Sequence, residues 1–128
     1  MLNIRYELVE NRKEKPDFNK LGFGKYFTDH MFMMEYTEGE GWQNPRIVPF
    51  APIPIHPAST VLHYGAEIFE GMKAYRAVDG SIRLFRPEEN VKRLNKSAER
   101  ICLPSLDEEG ALDILYKLVE LEQDWVPR

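Results

Sequence analysis

The chain has 128 residues and a formal net charge of −4, with 17 Lys and Arg against 21 Asp and Glu. This balance argues against a strongly basic nucleic-acid-binding protein. Hydrophobic residues make up 43% of the chain, enough to fill one core, so a single globular domain is expected. The single cysteine, Cys102, excludes an intramolecular disulfide and a Cys-x-x-Cys metal or redox pair. The charged N-terminal stretch resembles no targeting signal, and no segment is apolar enough to span a bilayer, so we expect a cytoplasmic protein without a membrane partner.

The N-terminal half predicts two strands and two irregular stretches. Residues 4–9 carry apolar side chains at every second position, which predicts a short half-buried strand. Residues 26–36 are rich in aromatic side chains and predict a longer strand, whereas residues 11–20 indicate an exposed connector. Four prolines within residues 49–57 remove backbone donors, so this stretch is expected to run extended across a surface or a sheet edge.

The middle of the chain predicts a β-hairpin. Residues 71–77 and 82–85 flank the sequence VDGS at 78–81. The Asp-Gly pair within that sequence supplies the chemistry of a tight turn between two strands. This is the clearest local structure signal in the sequence.

The C-terminal third predicts two helices. Pro87 is well placed as a first helical residue, and apolar residues recur at helical spacing until Pro104 ends the run. A second helix is expected to begin near Asp107, with Glu122 at its frayed end. Strands and a hairpin followed by two helices predict an α+β domain, with an antiparallel sheet and flanking helices.

Three arginines in the first of these helices could form a cationic ridge. Arg86, Arg93 and Arg100 are seven residues apart, so each advances by only about 20° around a helix axis. Such a ridge can hold a phosphate or a carboxylate through charge-assisted hydrogen bonds. On spacing alone, a solvated face paired with Glu89 and Glu99 is the favoured interpretation.

Other candidate sites are weak when they are judged from the residues alone. Gly22-Phe23-Gly24 lacks the third glycine of a dinucleotide-binding fingerprint. The three histidines are scattered, so no metal site is expected, and His63 fits a structural role better than that of a general base. Cys102 has apolar neighbours and is expected to be a buried, inert thiol. Lys73 enters the predicted hairpin and is interpreted as an ordinary strand lysine.

The aromatic and glycine-rich stretch 63–76 (HYGAEIFEGMKAYR) has two interpretations. Aromatic side chains beside glycines could wall a small apolar pocket. Core packing explains the same composition, and composition alone favours it.

Three long motifs add a family resemblance. LGFGKYFTDHM, LHYGAEIFEGMKAYR and LFRPEENVKRLNKSAERICLP closely resemble the branched-chain amino acid aminotransferases, which are pyridoxal-phosphate enzymes of the class IV aminotransferase family. The match runs through nearly the whole chain. It implies that residues 1–128 form the smaller, N-terminal domain of that architecture, and that the larger domain, which carries the lysine bound to the cofactor, lies outside this chain. The resemblance therefore implies no catalytic residue here, and an isolated chain that is inactive.

The resemblance also implies roles for four residues. Arg93, in NVKRL, corresponds to the family's ligand for the phosphate of pyridoxal phosphate, whereas its two ridge neighbours receive no such role. Phe23 of FGK, Tyr64 of LHY and Phe69 of IFEG are similar to residues of the pocket for the substrate side chain. Aromatic walls would accept Leu, Ile or Val and exclude charged side chains that lose their hydration there.

The implied function is reversible amino transfer between Leu, Ile or Val and 2-oxoglutarate, with glutamate and 2-oxo acids as the other reactants. The family implies a homodimer. One alternative is another class IV member, a D-amino-acid aminotransferase or an aminodeoxychorismate lyase, against which GFGKYFTDHM argues. A second alternative is a non-catalytic small domain that serves as a binding or dimerisation module.

Overall fold

The computed structural model describes residues 2–128, which form two small sheets and two long helices. The strands are β1 (Arg5–Tyr6), β2 (His30–Thr37), β3 (Gly41–Pro49), β4 (Ala74–Arg76) and β5 (Ile82–Leu84). The helices are α1 (Thr60–His63), α2 (Pro87–Arg100) and α3 (Glu108–Leu121), followed by a 3-10 turn at Gln123–Trp125. Within the described part of the chain, no helix combines the length and apolar character needed to cross a bilayer.

The larger sheet has the strand order β1-β3-β2. β2 and β3 form an antiparallel hairpin, and β4 and β5 form a second one, so the predicted α+β class with antiparallel strands is confirmed. β1 differs, because it lies parallel to β3 with Arg5 opposite Arg46 and Tyr6 opposite Ile47. This pairing places Ile4 in the same core cluster as Ile47, so burial of an apolar side chain selects the register.

The first two predicted strands are shorter or shifted in the structure. β1 has only two residues, and Tyr6 and Leu8 are exposed, so only Ile4 of the predicted apolar face is buried. β2 begins at His30, and Phe27 before it lies in a loop, stacked on Phe50 with ring centroids 4.9 Å apart.

The predicted hairpin is confirmed by β4 and β5. Its turn closes through a hydrogen bond from the Ala77 N–H to the Ser81 carbonyl at 2.8 Å, and Gly80 takes a φ of +84° that most side chains would resist. Asp79 accepts a further hydrogen bond from the Ser81 N–H at 3.0 Å. The proline-rich stretch 50–57 is exposed and contains no helix or strand.

Both predicted long helices are confirmed. α2 begins at Pro87, and α3 is capped by Asp107, whose Oδ2 accepts a hydrogen bond from the Gly110 N–H at 2.7 Å. α3 supplies the core residue Ile114. Three buried isoleucines form the centre of the core, with partly buried residues packed around them: Leu2, Phe32, Met34, Leu118 and Leu121.

Two residues near the helix ends correct the sequence interpretation. Cys102 is exposed, because α2 ends at Arg100 and the backbone at Cys102 turns through a positive φ of 59°. The prediction of a buried thiol was therefore wrong. Glu122 does not fray at the end of α3; it is buried against His30.

Candidate functional site

Arg93 lies in the second turn of α2 and forms a two-point ion pair with Glu70. Its Nε donates a hydrogen bond to Glu70 Oε2 at 2.8 Å, and its Nη2 donates to Oε1 of the same carboxylate. The arginine side chain is 67% exposed. Within residues 2–128, Nη1 donates no hydrogen bond to the protein, so one edge of the guanidinium is available to an anion.

Glu70 is the buried half of this pair, with a side chain only 8% exposed. It accepts an additional hydrogen bond from Asn90 Nδ2 at 2.9 Å. The hydrogen bonds from Arg93 and Asn90 lower the pKa of Glu70 from 4.5 to about 2, which outweighs the opposing effect of burial. Glu70 is therefore ionised at neutral pH, and its charge balances that of Arg93.

Asn90 connects the same face of α2 to the segment that contains Phe69. Its Nδ2 also donates a hydrogen bond to the Gly71 carbonyl, at 2.9 Å. The Phe69 ring lies close to Gly71, where a Cβ would be in ordinary van der Waals contact with it at 3.5 Å. The structure thus places Phe69 next to the carboxylate that holds Arg93, with the phenylalanine side chain 89% exposed.

Phe23 and Tyr64 occupy separate exposed positions. Phe23 lies between Gly22 and Gly24, which take φ angles of +66° and +68°, and it is 99% exposed. Tyr64 ends α1 and is 86% exposed. The aromatic ring pairs within residues 2–128 join Phe27 to Phe50 and Tyr36 to Trp42, and neither pair includes a predicted site residue. Core packing is therefore the wrong interpretation for the aromatics of the 63–76 stretch, and the predicted pocket residues are not enclosed by this chain.

The other two arginines of the predicted ridge, Arg86 and Arg100, lie on the protein surface. Arg86 precedes α2 with a left-handed backbone, and its Nη2 is 3.9 Å from Glu89 on the protein surface. Arg100 is the exposed last residue of α2. Of the three arginines, only Arg93 is paired with a buried carboxylate.

Lys73 and the histidines form no catalytic cluster. Lys73 is exposed just before β4, so it is not the desolvated lysine that Schiff-base chemistry favours. His63 Nε2 donates a hydrogen bond to the Pro57 carbonyl at 2.6 Å, in agreement with a structural role. No group of three or more His, Cys, Asp or Glu residues that could hold a metal ion occurs within residues 2–128.

A buried polar cluster that no sequence motif indicated lies away from Arg93. His30 Nε2 accepts a hydrogen bond from the Val9 N–H at 3.0 Å, so its Nδ1 carries the proton and donates to Glu122. Glu122 is 92 residues away in the sequence, and no local pattern relates it to His30. The cluster has a structural role, because it joins the N-terminal segment to β2 and to the end of α3.

Asp29 is the second buried carboxylate of this polar cluster. Its Oδ1 accepts a hydrogen bond from the Lys13 N–H at 2.8 Å, and its Oδ2 accepts one from Trp125 Nε1 at 2.9 Å. Burial raises the pKa of Asp29, but these two hydrogen bonds and the charges of Lys15 and Arg12 lower it by more, so the net shift is downward. Asp29 is therefore ionised inside the fold.

Comparison with known proteins identifies several relatives of this chain. No protein-family model matches the chain. Branched-chain-amino-acid transaminase 1 of Bacillus subtilis is 60% identical over 125 residues, which cover 98% of this chain and 35% of that protein. Branched-chain-amino-acid aminotransferase 2 of the same bacterium is 51% identical over 124 residues, or 97% of this chain and 34% of that protein. The mouse protein named branched-chain-amino-acid aminotransferase, cytosolic, is 51% identical over 115 residues, or 90% of this chain and 30% of that protein.

The chain thus spans about a third of the length of the curated relatives that it matches. The aligned region covers 98% of this chain, so it spans the three motifs and the α2 segment that contains Arg93. The resemblance drawn from those motifs is confirmed: the chain is homologous to branched-chain-amino-acid aminotransferases over about a third of their length.

Proposed function

We propose that this chain is the N-terminal small domain of a pyridoxal-phosphate-dependent branched-chain aminotransferase with class IV architecture. The observation that carries the proposal is 60% identity, over 98% of the chain, with a protein named branched-chain-amino-acid transaminase 1. The reaction is reversible amino transfer between Leu, Ile or Val and 2-oxoglutarate. A larger domain outside residues 1–128 supplies the lysine that binds the cofactor, and this chain supplies the other side of the site.

The surroundings of Arg93 fit the phosphate of the proposed cofactor. A phosphate dianion needs a fixed cation with free N–H donors, and Arg93 offers an exposed guanidinium edge while Glu70 holds the opposite edge. Pyridoxal phosphate, when bound, supplies the conjugated ring that accepts electrons from the substrate. Arg93 binds the phosphate and so fixes the ring in relation to the reacting carbon.

Phe23, Tyr64 and Phe69 are proposed to wall the pocket for the substrate side chain. All three rings are almost fully exposed in this chain, which is unusual for a set of large apolar side chains. Once the larger domain covers them, they exclude water and favour Leu, Ile and Val over charged side chains. Glutamate, the amino donor for the reverse reaction, uses the same site in a different arrangement.

The large exposed surface of the chain supports the proposal that another domain or subunit covers part of it. The chain exposes 9837 Å², whereas a compact monomer of 15.0 kDa exposes about 7,000 Å². We propose that the excess surface is buried against the larger domain and a second subunit of a homodimer. A cytoplasmic location is proposed as well, and a mouse relative is named cytosolic. The net charge of −4 favours neither nucleic acid nor an anionic membrane surface as a partner.

The phosphate assignment is tested in a chimera, defined as the Bacillus subtilis transaminase 1 in which this chain replaces the segment that aligns with it. We expect Arg93→Ala to weaken the binding of pyridoxal phosphate by about 10- to 100-fold, because charge-assisted hydrogen bonds to the phosphate are lost. Equilibrium titration of the cofactor, followed by absorbance, measures the affinity.

Arg100→Ala is the matched control for this titration. It removes the same side chain from the same helix at an exposed position without a proposed role, and it is expected to change the affinity by less than about twofold. Equal affinities in the Arg93→Ala variant and the unmodified chimera would show that the phosphate is held elsewhere.

A further inference from the structure

We propose that Glu70 is a positioning residue, which fixes the guanidinium of Arg93 in the orientation that receives the cofactor phosphate. The inference rests on the proposed function, and it adds a residue that makes no contact with the cofactor itself. Glu70 acts only through Arg93 and through the segment in which it lies.

The geometry of the pair supports a positioning role. Both carboxylate oxygens of Glu70 accept hydrogen bonds from Arg93, one from Nε and one from Nη2. A two-point contact of this kind fixes the plane of the guanidinium as well as its position. An exposed arginine otherwise samples many rotamers, and ordering it before the phosphate arrives lowers the entropic cost of binding.

Glu70 is itself held in place from two directions. Its side chain is 8% exposed, and Asn90 donates a hydrogen bond to Oε1 at 2.9 Å from the turn of α2 that precedes Arg93. Asn90 also holds the Gly71 carbonyl at 2.9 Å, so the backbone on the C-terminal side of Glu70 is fixed to the same helix. Glu70, Asn90 and the Gly71 carbonyl thus form a hydrogen-bonded frame. This frame, and not a second mobile side chain, defines the orientation of Arg93.

The same frame includes one of the proposed pocket residues. Phe69 is the neighbour of Glu70 in the chain, so the hydrogen bonds that hold Glu70 and Gly71 also limit the movement of the Phe69 backbone. Glu70 thus couples the position of the phosphate ligand to the position of one wall of the substrate pocket.

Simple charge pairing and positioning predict opposite outcomes when Glu70 loses its charge. A negative charge beside Arg93 repels a phosphate dianion, so a carboxylate that only neutralised the arginine would weaken cofactor binding, and its removal would strengthen it. A carboxylate that orients the arginine strengthens binding, and its removal weakens it. The direction of the change separates the two roles.

The test is Glu70→Gln in the chimera defined above, with two probes, pyridoxal phosphate and pyridoxal, which lacks the phosphate. A glutamine has one acceptor oxygen, and its amide donors face the guanidinium, so the two-point contact is lost. We expect the dissociation constant for pyridoxal phosphate to rise about tenfold and that for pyridoxal to change by less than about twofold. Glu70→Asp keeps the charge and is expected to restore part of the affinity.

Two further variants complete the design. Glu89→Gln is the matched control, because it removes the same charge from a carboxylate that pairs with Lys92 at 3.0 Å on the exposed surface of α2. Its affinity for pyridoxal phosphate should stay within about twofold of the unmodified chimera. In a chimera that already carries Arg93→Ala, Glu70→Gln should not weaken the binding of pyridoxal phosphate further, since the influence of Glu70 on the phosphate passes through Arg93.

Several results would overturn the inference. Unchanged or tighter binding of pyridoxal phosphate by the Glu70→Gln chimera would do so, as would equal losses for pyridoxal phosphate and pyridoxal, which indicate a structural defect. An additional loss in the Arg93→Ala background would also contradict it. If Glu70→Gln does not fold, Glu70→Asp is compared with the same two probes, and equal losses again overturn the inference. An unmodified chimera that binds no pyridoxal phosphate would instead contradict the proposed function.

Discussion

Two carboxylates with buried side chains are held in the ionised form by their neighbours, and each belongs to a different part of the fold. Glu70 fixes Arg93 near the proposed site, whereas Asp29 joins the N-terminal segment to Trp125 in the interior. Both have a pKa below the usual value for the residue type. Each therefore contributes stability to the folded protein at neutral pH, and that contribution depends on pH.

Asp29→Asn tests the interior carboxylate. An asparagine keeps the shape but loses the charge, so the hydrogen bonds from Lys13 and Trp125 weaken, and we expect a loss of about 2 kcal/mol in the free energy of unfolding at neutral pH. Because the pKa of Asp29 is lowered on folding, its stabilising effect is present above the ordinary value of 3.8 and declines as the pH falls below it.

Thermal unfolding of the chimera, with and without Asp29→Asn, measures this difference at neutral pH and again below pH 3.8. The exposed Asp124→Asn, next to Trp125 in the C-terminal segment, serves as the control and should have little effect. A stability difference that stays constant or grows on acidification would contradict the account.

The burial and the hydrogen-bond partners of individual residues were the hardest features to predict from the sequence. Apolar neighbours suggested that Cys102 is buried, but the end of α2 and a positive φ direct it to the surface. Glu122 looked like a frayed helix end because its partner, His30, lies 92 residues away. Arg93 was selected through family resemblance, since its spacing alone favoured a solvated face.

The elements that the sequence predicted well are those with local chemical signals. Pro87 starts α2, Asp107 caps α3, and the Asp-Gly pair forms the turn between β4 and β5. In each case, the residues that determine the conformation lie within a few positions of one another. Helix caps and tight turns are therefore readable from the sequence.

The α3 cap provides a test at this scale. Asp107 Oδ2 accepts a hydrogen bond from the Gly110 N–H at 2.7 Å. We expect Asp107→Ala in the chimera to lower the free energy of unfolding by about 1 kcal/mol, and Asp107→Ser to lower it by less, because a hydroxyl can accept the same bond. Thermal unfolding measures the change, with Glu108→Ala, which removes a neighbouring charge without removing the cap, as the control. A greater loss for Glu108→Ala than for Asp107→Ala would contradict this assignment.

Strand pairing could not be predicted in the same way. β1 has two residues and pairs in parallel with β3, which lies far away in the sequence. The pairing of β1 with β3 depends on the burial of Ile4 against Ile47 and Ile114, which lie in three segments that are distant in the sequence. An alternating pattern over residues 4–9 predicts a strand, but it specifies neither the partner nor the direction.

At the scale of the whole molecule, the chain has a small core and a large apolar surface. Three buried isoleucines form the core cluster, and several of the largest aromatic side chains point outward, the proposed pocket residues among them. The exposed area of 9837 Å² exceeds the figure of about 7,000 Å² for a compact protein of this mass. These features support the proposal that the chain forms one side of a larger interface, and they agree with a chain that spans about a third of its relatives' length.

The most direct test of the central claim is an assay of amino transfer from leucine to 2-oxoglutarate, with added pyridoxal phosphate, by the chimera and by the isolated chain. We expect the chimera to catalyse the reaction at a rate within about tenfold of its Bacillus subtilis parent, because the replaced segment is 60% identical to this chain. We expect no activity from the isolated chain. A folded chimera without activity would contradict the proposal, and so would activity of the isolated chain, which would assign the chemistry to a lysine within residues 1–128, with Lys73 the first to test.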